Sequence, residues 1–136
     1  MLQTYYYDPF RVFSPVTRSR QKAVNETIYQ PQVDIVESKD QYQLFLDLPG
    51  IDPQSIEVTE EKKVLTIKAQ RLARELAEGE VQARSERKVG VFKRQFTLPE
   101  DVDAESIVAE SQHGVLKLTL GRKQPEETLR KIEIKQ

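Results

Sequence analysis

The chain of 136 residues has no cysteine and no tryptophan, and only one histidine and one methionine. Without cysteine there is no disulfide framework, no zinc–thiolate site and no thiol nucleophile. Its five glycines, Gly50, Gly79, Gly90, Gly114 and Gly121, lie far apart, so no glycine-rich phosphate loop can form. No stretch approaches the ~20 apolar residues of a membrane span. The opening MLQTYYYDPF has no apolar run of the kind a secretory signal needs. Charge of one sign is lacking as well: 21 Lys and Arg against 22 Asp and Glu leave −1. That balance gives no electrostatic grip on nucleic acid or anionic lipid. The expectation is a soluble, cytoplasmic protein of one domain, with no nucleic-acid partner and no membrane span.

Reactive groupings are equally scarce. His113 precedes Gly114, where a residue tolerant of positive φ suits a hairpin turn better than it suits catalysis. Asp101 and Asp103 follow Leu98-Pro99-Glu100 and read as solvated loop carboxylates. No His/Asp/Glu set has metal-ligand spacing, and no serine–histidine signal for a nucleophile is present. The sequence therefore predicts no catalytic residue, no cofactor and no metal.

What is present is β patterning. Apolar residues alternate, or run in short β-branched blocks, in VDIVE (33–37), YQLFLDL (42–48), SIEVTE (55–60), VLTIKAQ (64–70), VFKRQFTL (91–98), SIVAES (106–111) and VLKLTL (115–120). Turn signals at Leu48-Pro49-Gly50, Asp52-Pro53, Glu61-Lys62-Lys63, Leu98-Pro99-Glu100 and His113-Gly114 separate them. Short strands at regular spacing predict an all-β antiparallel sandwich over residues 33–120. Residues 71–90 break the rhythm. Leu72 and Leu76, at i and i+4, predict a short helix ending near Gly79, and Val81 to Ser85 could instead form a short strand. A long charged insertion of this kind is functional or disordered.

Two flanks remain. Residues 1–32 are irregular yet hold six of the ten aromatics: Tyr5, Tyr6, Tyr7, Phe10, Phe13 and Tyr29. A disordered tail is poor in aromatics. These residues either cap the domain's own core or form a mobile arm that contacts other molecules. Residues 121–136 form a charged tether followed by Ile132 and Ile134. Residues 121–131 span at most ~36 Å when extended, so the tail can reach past its own domain. The isoleucines are either a last edge strand of the same sheet or an anchor placed elsewhere. At i and i+2 they project to one side.

Four stretches together resemble the small heat-shock proteins, the α-crystallin domain family: LDLPGIDPQSIEV, FKRQFTLPEDVD, AESQHGVL and the terminal Ile132-Glu133-Ile134. His113 stands where that family usually has Asn. The resemblance implies an immunoglobulin-like sandwich with a flexible N-terminal arm and a C-terminal tail. It further implies an ATP-independent chaperone that holds partly unfolded clients and passes them to ATP-driven chaperones, working as a large homo-oligomer built from dimers. Carried over residue by residue, Ile132 and Ile134 become the oligomer anchor, and Ile56, Val58, Ile107 and Ala109 line the groove that receives it. A loop strand within 81–86, with Arg84 and Glu86, joins Arg94 at the dimer contact. On residues alone Arg94 is equally an outward-facing strand arginine. Tyr5, Tyr6, Tyr7, Phe10 and Phe13 would meet clients. A rival reading is a co-chaperone adaptor, a similar sandwich that binds a large ATP-driven chaperone.

Overall fold

The computed structural model describes residues 27–124 and 131–136 together with Phe10. Its elements are β1 (Ile28–Tyr29), β2 (Val33–Glu37), β3 (Gln41–Asp47), β4 (Glu57–Glu61), β5 (Val64–Arg71), β6 (Gly90–Thr97), β7 (Val108–Gln112) and β8 (Val115–Gly121). They make two sheets, in the orders β1-β6-β5-β4 and β2-β3-β8-β7. Every pairing is antiparallel except that of β1 with β6. The result is the expected all-β sandwich.

Alternation explains both sheets. In β3 the residues Tyr42, Leu44 and Leu46 are buried while their neighbours are not, and in β8 the same holds for Leu116, Leu118 and Leu120. The register sets Tyr42 opposite Leu120, Leu44 opposite Leu118 and Leu46 opposite Leu116, so each inward pair closes one layer of core. In the other sheet Ala69 faces Phe92 and Leu65 faces Phe96, a small residue against a large one and a medium against a large. Fully burying each such side chain is worth ~1.5–3 kcal/mol.

All seven expected strands form, but two begin later than their apolar residues suggest. Single 3₁₀ turns at Pro53–Ser55 and Ala104–Ser106 precede β4 and β7. Asp52 and Asp103 cap these turns, their carboxylates accepting from the amides of Gln54 and Glu105. Asp103 is thus a cap rather than a merely solvated charge. His113 lies at φ 56° and Gly114 at φ 74°, the positive pair a tight hairpin needs. A Cβ on Gly114 would come 3.0 Å from Pro49 Cα, so this turn and the Leu-Pro-Gly turn press together at one end of the sandwich. Arg71 ties that end. Its guanidinium is buried, donates to the carbonyls of Pro49 and Lys88, and lies 4.7 Å from the Phe92 ring centroid.

The expected helix after residue 71 does not form. Residues 72–89 contain no regular element, and Leu72 and Leu76 are exposed. One turn of helix has too few hydrogen bonds to offset its nucleation cost, and among the described residues no apolar partner buries the two leucines. The chain instead reverses at Gly79, φ 83°, where the Glu80 amide donates to the Ala77 carbonyl. Its two limbs flank an open cavity of about 430 Å³.

Phe10 is the other departure. It is fully buried between the sheets, edge-on to Tyr42 at 4.9 Å and to Phe96 at 6.4 Å. For this residue the core-capping alternative holds, and Phe10 is not free to meet a client while it sits there.

Candidate functional site

Each sheet leaves an edge strand beside the other's: β4 ends one and β7 ends the other. Between them opens a shallow pocket of about 290 Å³, lined by Val58, Thr59, Glu60, Leu65, Ala104, Ile107 and Ala109. Of the four residues expected there, Val58, Ile107 and Ala109 come together. Ile56 does not reach this lining and packs half-buried against the core. Thr59, Glu60, Leu65 and Ala104 were missed. Leu65 forms the floor because it faces inward from β5, opposite Glu60. The floor is apolar and the rim carries Glu60, which suits an apolar ligand with a basic flank.

A sequence signal for both walls exists. Asp52-Pro53-Gln54-Ser55-Ile56 and Asp103-Ala104-Glu105-Ser106-Ile107 share the pattern Asp-x-x-Ser-Ile. In both, the Asp caps the turn and the Ser hydroxyl donates back to the Asp carbonyl, at 2.7 and 2.6 Å. The same local device places an isoleucine just before β4 and just before β7, of which Ile107 lines the pocket and Ile56 does not.

The terminal isoleucines are not an edge strand. Residues 131–136 form no strand, and Ile132 and Ile134 are 80% and 90% exposed. Lys131 and Lys135 flank them. The fold thus carries an open apolar groove and an uncovered apolar pair on one chain.

At the expected dimer contact, 81–86 lies in no sheet and forms no strand. Arg84 and Glu86 form an exposed ion pair at 3.8 Å. Arg94 faces inward rather than outward, because alternation puts it on the face of Phe92 and Phe96. It donates to the Pro31 carbonyl at 2.9 Å and lies 5.5 Å from the Phe96 centroid, but its buried Nε has no acceptor. Tyr5, Tyr6, Tyr7 and Phe13 lie outside the described residues.

Asp101 is not a free loop carboxylate. It binds Arg122 Nε at 2.6 Å and accepts from the Tyr42 hydroxyl at 3.0 Å. Burial, reinforced by that hydrogen bond to a carboxylate, pushes the Tyr42 phenol up to about 12. Among the described residues, no group of His, Asp and Glu could hold a metal ion, and no helix is long and apolar enough to cross a membrane.

Comparison with known proteins places this architecture. The sequence model of the Hsp20/alpha crystallin family matches residues 34–135. The 18 kDa heat shock protein of Streptomyces albus G is 37% identical over 116 residues, which cover 83% of this chain and 80% of that one. The 22.0 kDa heat shock protein of Arabidopsis thaliana is 32% identical over 120 residues, 88% of this chain but 62% of the plant protein. A small heat-shock protein from Xylella fastidiosa, of known structure, superposes with a TM-score of 0.67 at 40% identity, covering 78% of this chain and 96% of that one. The chain belongs to the Hsp20/α-crystallin family of small heat-shock proteins.

Proposed function

We propose that this chain is an ATP-independent chaperone that holds partly unfolded proteins and works in the cytoplasm as a homo-oligomer of dimers. In this reading the tail of one subunit sets Ile132 and Ile134 into the β4–β7 groove of another. The observation that carries it is the coexistence, on one chain, of an open apolar groove and two isoleucines that no described residue covers. Lys131 and Lys135 would face Glu60 at the rim. The relative from Xylella fastidiosa is described as having a distinct high-order structure, which supports assembly.

The energetics favour a reversible clasp. Two isoleucines gain ~3–6 kcal/mol gross on burial. Ordering the tether and losing free motion consume much of that. One tail binds weakly, whereas many tails in a closed assembly hold firmly because each later docking is intramolecular. Dimers would form through 81–86 added to the β2 edge of a partner, with Arg84 and Glu86 beside it and Arg94 near the contact, holding the Pro31 carbonyl. Tyr5, Tyr6, Tyr7 and Phe13 are the residues proposed to meet apolar surface on clients, which are then released to ATP-driven chaperones.

Native mass by light scattering tests the reading. The intact chain should run as a large oligomer and Ile132→Ala/Ile134→Ala as dimers. Equal masses would remove the clasp, and equal small masses would favour the adaptor reading.

A further inference from the structure

Residues 121–123 leave the last strand through an unusually complete set of ties. Gly121 donates its amide to the Ser106 hydroxyl at 2.8 Å and accepts from the Asp103 amide at 2.9 Å. A Cβ on Gly121 would lie 2.8 Å from Ser106 Oγ, so the approach requires glycine. The Arg122 amide donates to the Asp40 carbonyl at 2.9 Å, and the Lys123 amide to the Asp101 carbonyl at 2.6 Å. The Arg122 side chain then joins both flanking loops. Nε binds Asp101 at 2.6 Å, Nη1 binds Glu37 at 3.1 Å and the Ser38 carbonyl at 2.9 Å, and Cζ lies 4.9 Å from the Tyr42 ring centroid.

This cluster differs from the other ion pairs. The side chains of Lys63–Glu100, Arg74–Glu80 and Arg84–Glu86 are between 45% and 86% exposed, whereas Arg122 is 26% exposed. Exposed pairs fix little. A shielded guanidinium with three acceptors and an aromatic face fixes a direction, and lysine cannot reproduce it.

We propose that Arg122 is a positioning residue for assembly: it clamps the root of the tail against the loops at 37–40 and 101–103, and so sets the direction in which Ile132 and Ile134 are presented to a neighbour. The proposal rests on the clasp reading above. Eight residues separate Lys123 from Ile132, a reach of at most roughly 32 Å over nine steps. With so short a span, the exit direction decides which neighbour orientations the anchor can meet, and therefore which closed assemblies form. A released root meets many orientations and closes assemblies of several sizes.

Native mass spectrometry of the full chain reads this out. The parent should show one dominant oligomer, and Arg122→Gln should move more than about half of the population to other subunit numbers. Arg122→Lys should scatter likewise, since charge alone does not rebuild the clamp. A dominant oligomer retained by Arg122→Gln, or restored by lysine, overturns the proposal while the clasp stands. If Ile132→Ala/Ile134→Ala keeps the parental mass, clasp and clamp both fall. A second measurement does not depend on assembly. In that double-alanine chain, which has no cysteine of its own, spin labels on Glu110→Cys and Gln124→Cys, diluted into unlabelled chain, should give a narrow distance distribution. Arg122→Gln should broaden it about two-fold; an unchanged width overturns the clamp.

Discussion

The two ends of this chain hold apolar side chains and treat them in opposite ways. Phe10 is fully buried in its own core, whereas Ile132 and Ile134 are 80% and 90% exposed. Side-chain chemistry does not separate them, because all three gain from leaving water. What separates them is the vacancy on offer. Tyr42 and Phe96 present two rings, each perpendicular to that of Phe10, at the spot where it inserts. The groove between β4 and β7 is open, but residues 131–136 do not occupy it within the same chain. An apolar residue is thus an internal brace or an external anchor according to whether its own domain has left room for it.

That contrast can be broken most forcefully at Phe10. Phe10→Ala should cost about 3 kcal/mol of unfolding free energy, from lost transfer and the cavity left behind. Urea denaturation would read the loss, and an unchanged midpoint would show that Phe10 does not brace the core. The next effect lies at Tyr42, where Phe10 and Arg122 both rest. Its phenol is raised to about 12 in the folded chain against the ordinary 10. The folded state therefore keeps its proton longer than the unfolded state. The resulting stability is full below pH 10 and disappears as pH climbs to about 12, some 2–3 kcal/mol in all. Urea midpoints at both ends of that window should fall more steeply for the parent than for Tyr42→Phe, and parallel slopes would contradict the assignment. The smallest effect belongs to the tail. At a dilution where subunits are dissociated, Ile132→Ala/Ile134→Ala should alter unfolding free energy by less than about 0.5 kcal/mol. A larger loss would mean that the isoleucines brace their own domain.

The sandwich was legible because alternation records which face of a strand is inside. Tyr42, Leu44 and Leu46 announce their side without reference to anything else. The groove was legible in part. Val58, Ile107 and Ala109 follow from strand edges, but Leu65 enters as the floor from the adjacent strand, and Ile56 packs against the core instead. The repeated Asp-x-x-Ser-Ile would have marked those turns. Leu72 and Leu76 misled because i, i+4 spacing reports a helical face only when something covers that face. β1 is two residues long and pairs in parallel, so it carries no period. The aromatics of residues 1–32 left core capping open without singling out Phe10, since a single insertion has no neighbours in sequence to repeat it, and the clamp at Arg122 depends on residues some 20 and 85 positions away.

One feature of the core also has a consequence in time. The central pairing of one sheet joins β3 to β8, with Leu44 opposite Leu118, residues 74 apart in the chain. At synthesis rates of ~5–20 residues per second, Leu44 emerges roughly 4–15 s before its partner. Through that interval β3 can pair with β2, but its other edge has nothing to meet and the apolar row of Tyr42, Leu44 and Leu46 lacks its opposite layer. Each new copy of this chain therefore passes, while it is being made, through the exposed state that members of its family are proposed to guard in others.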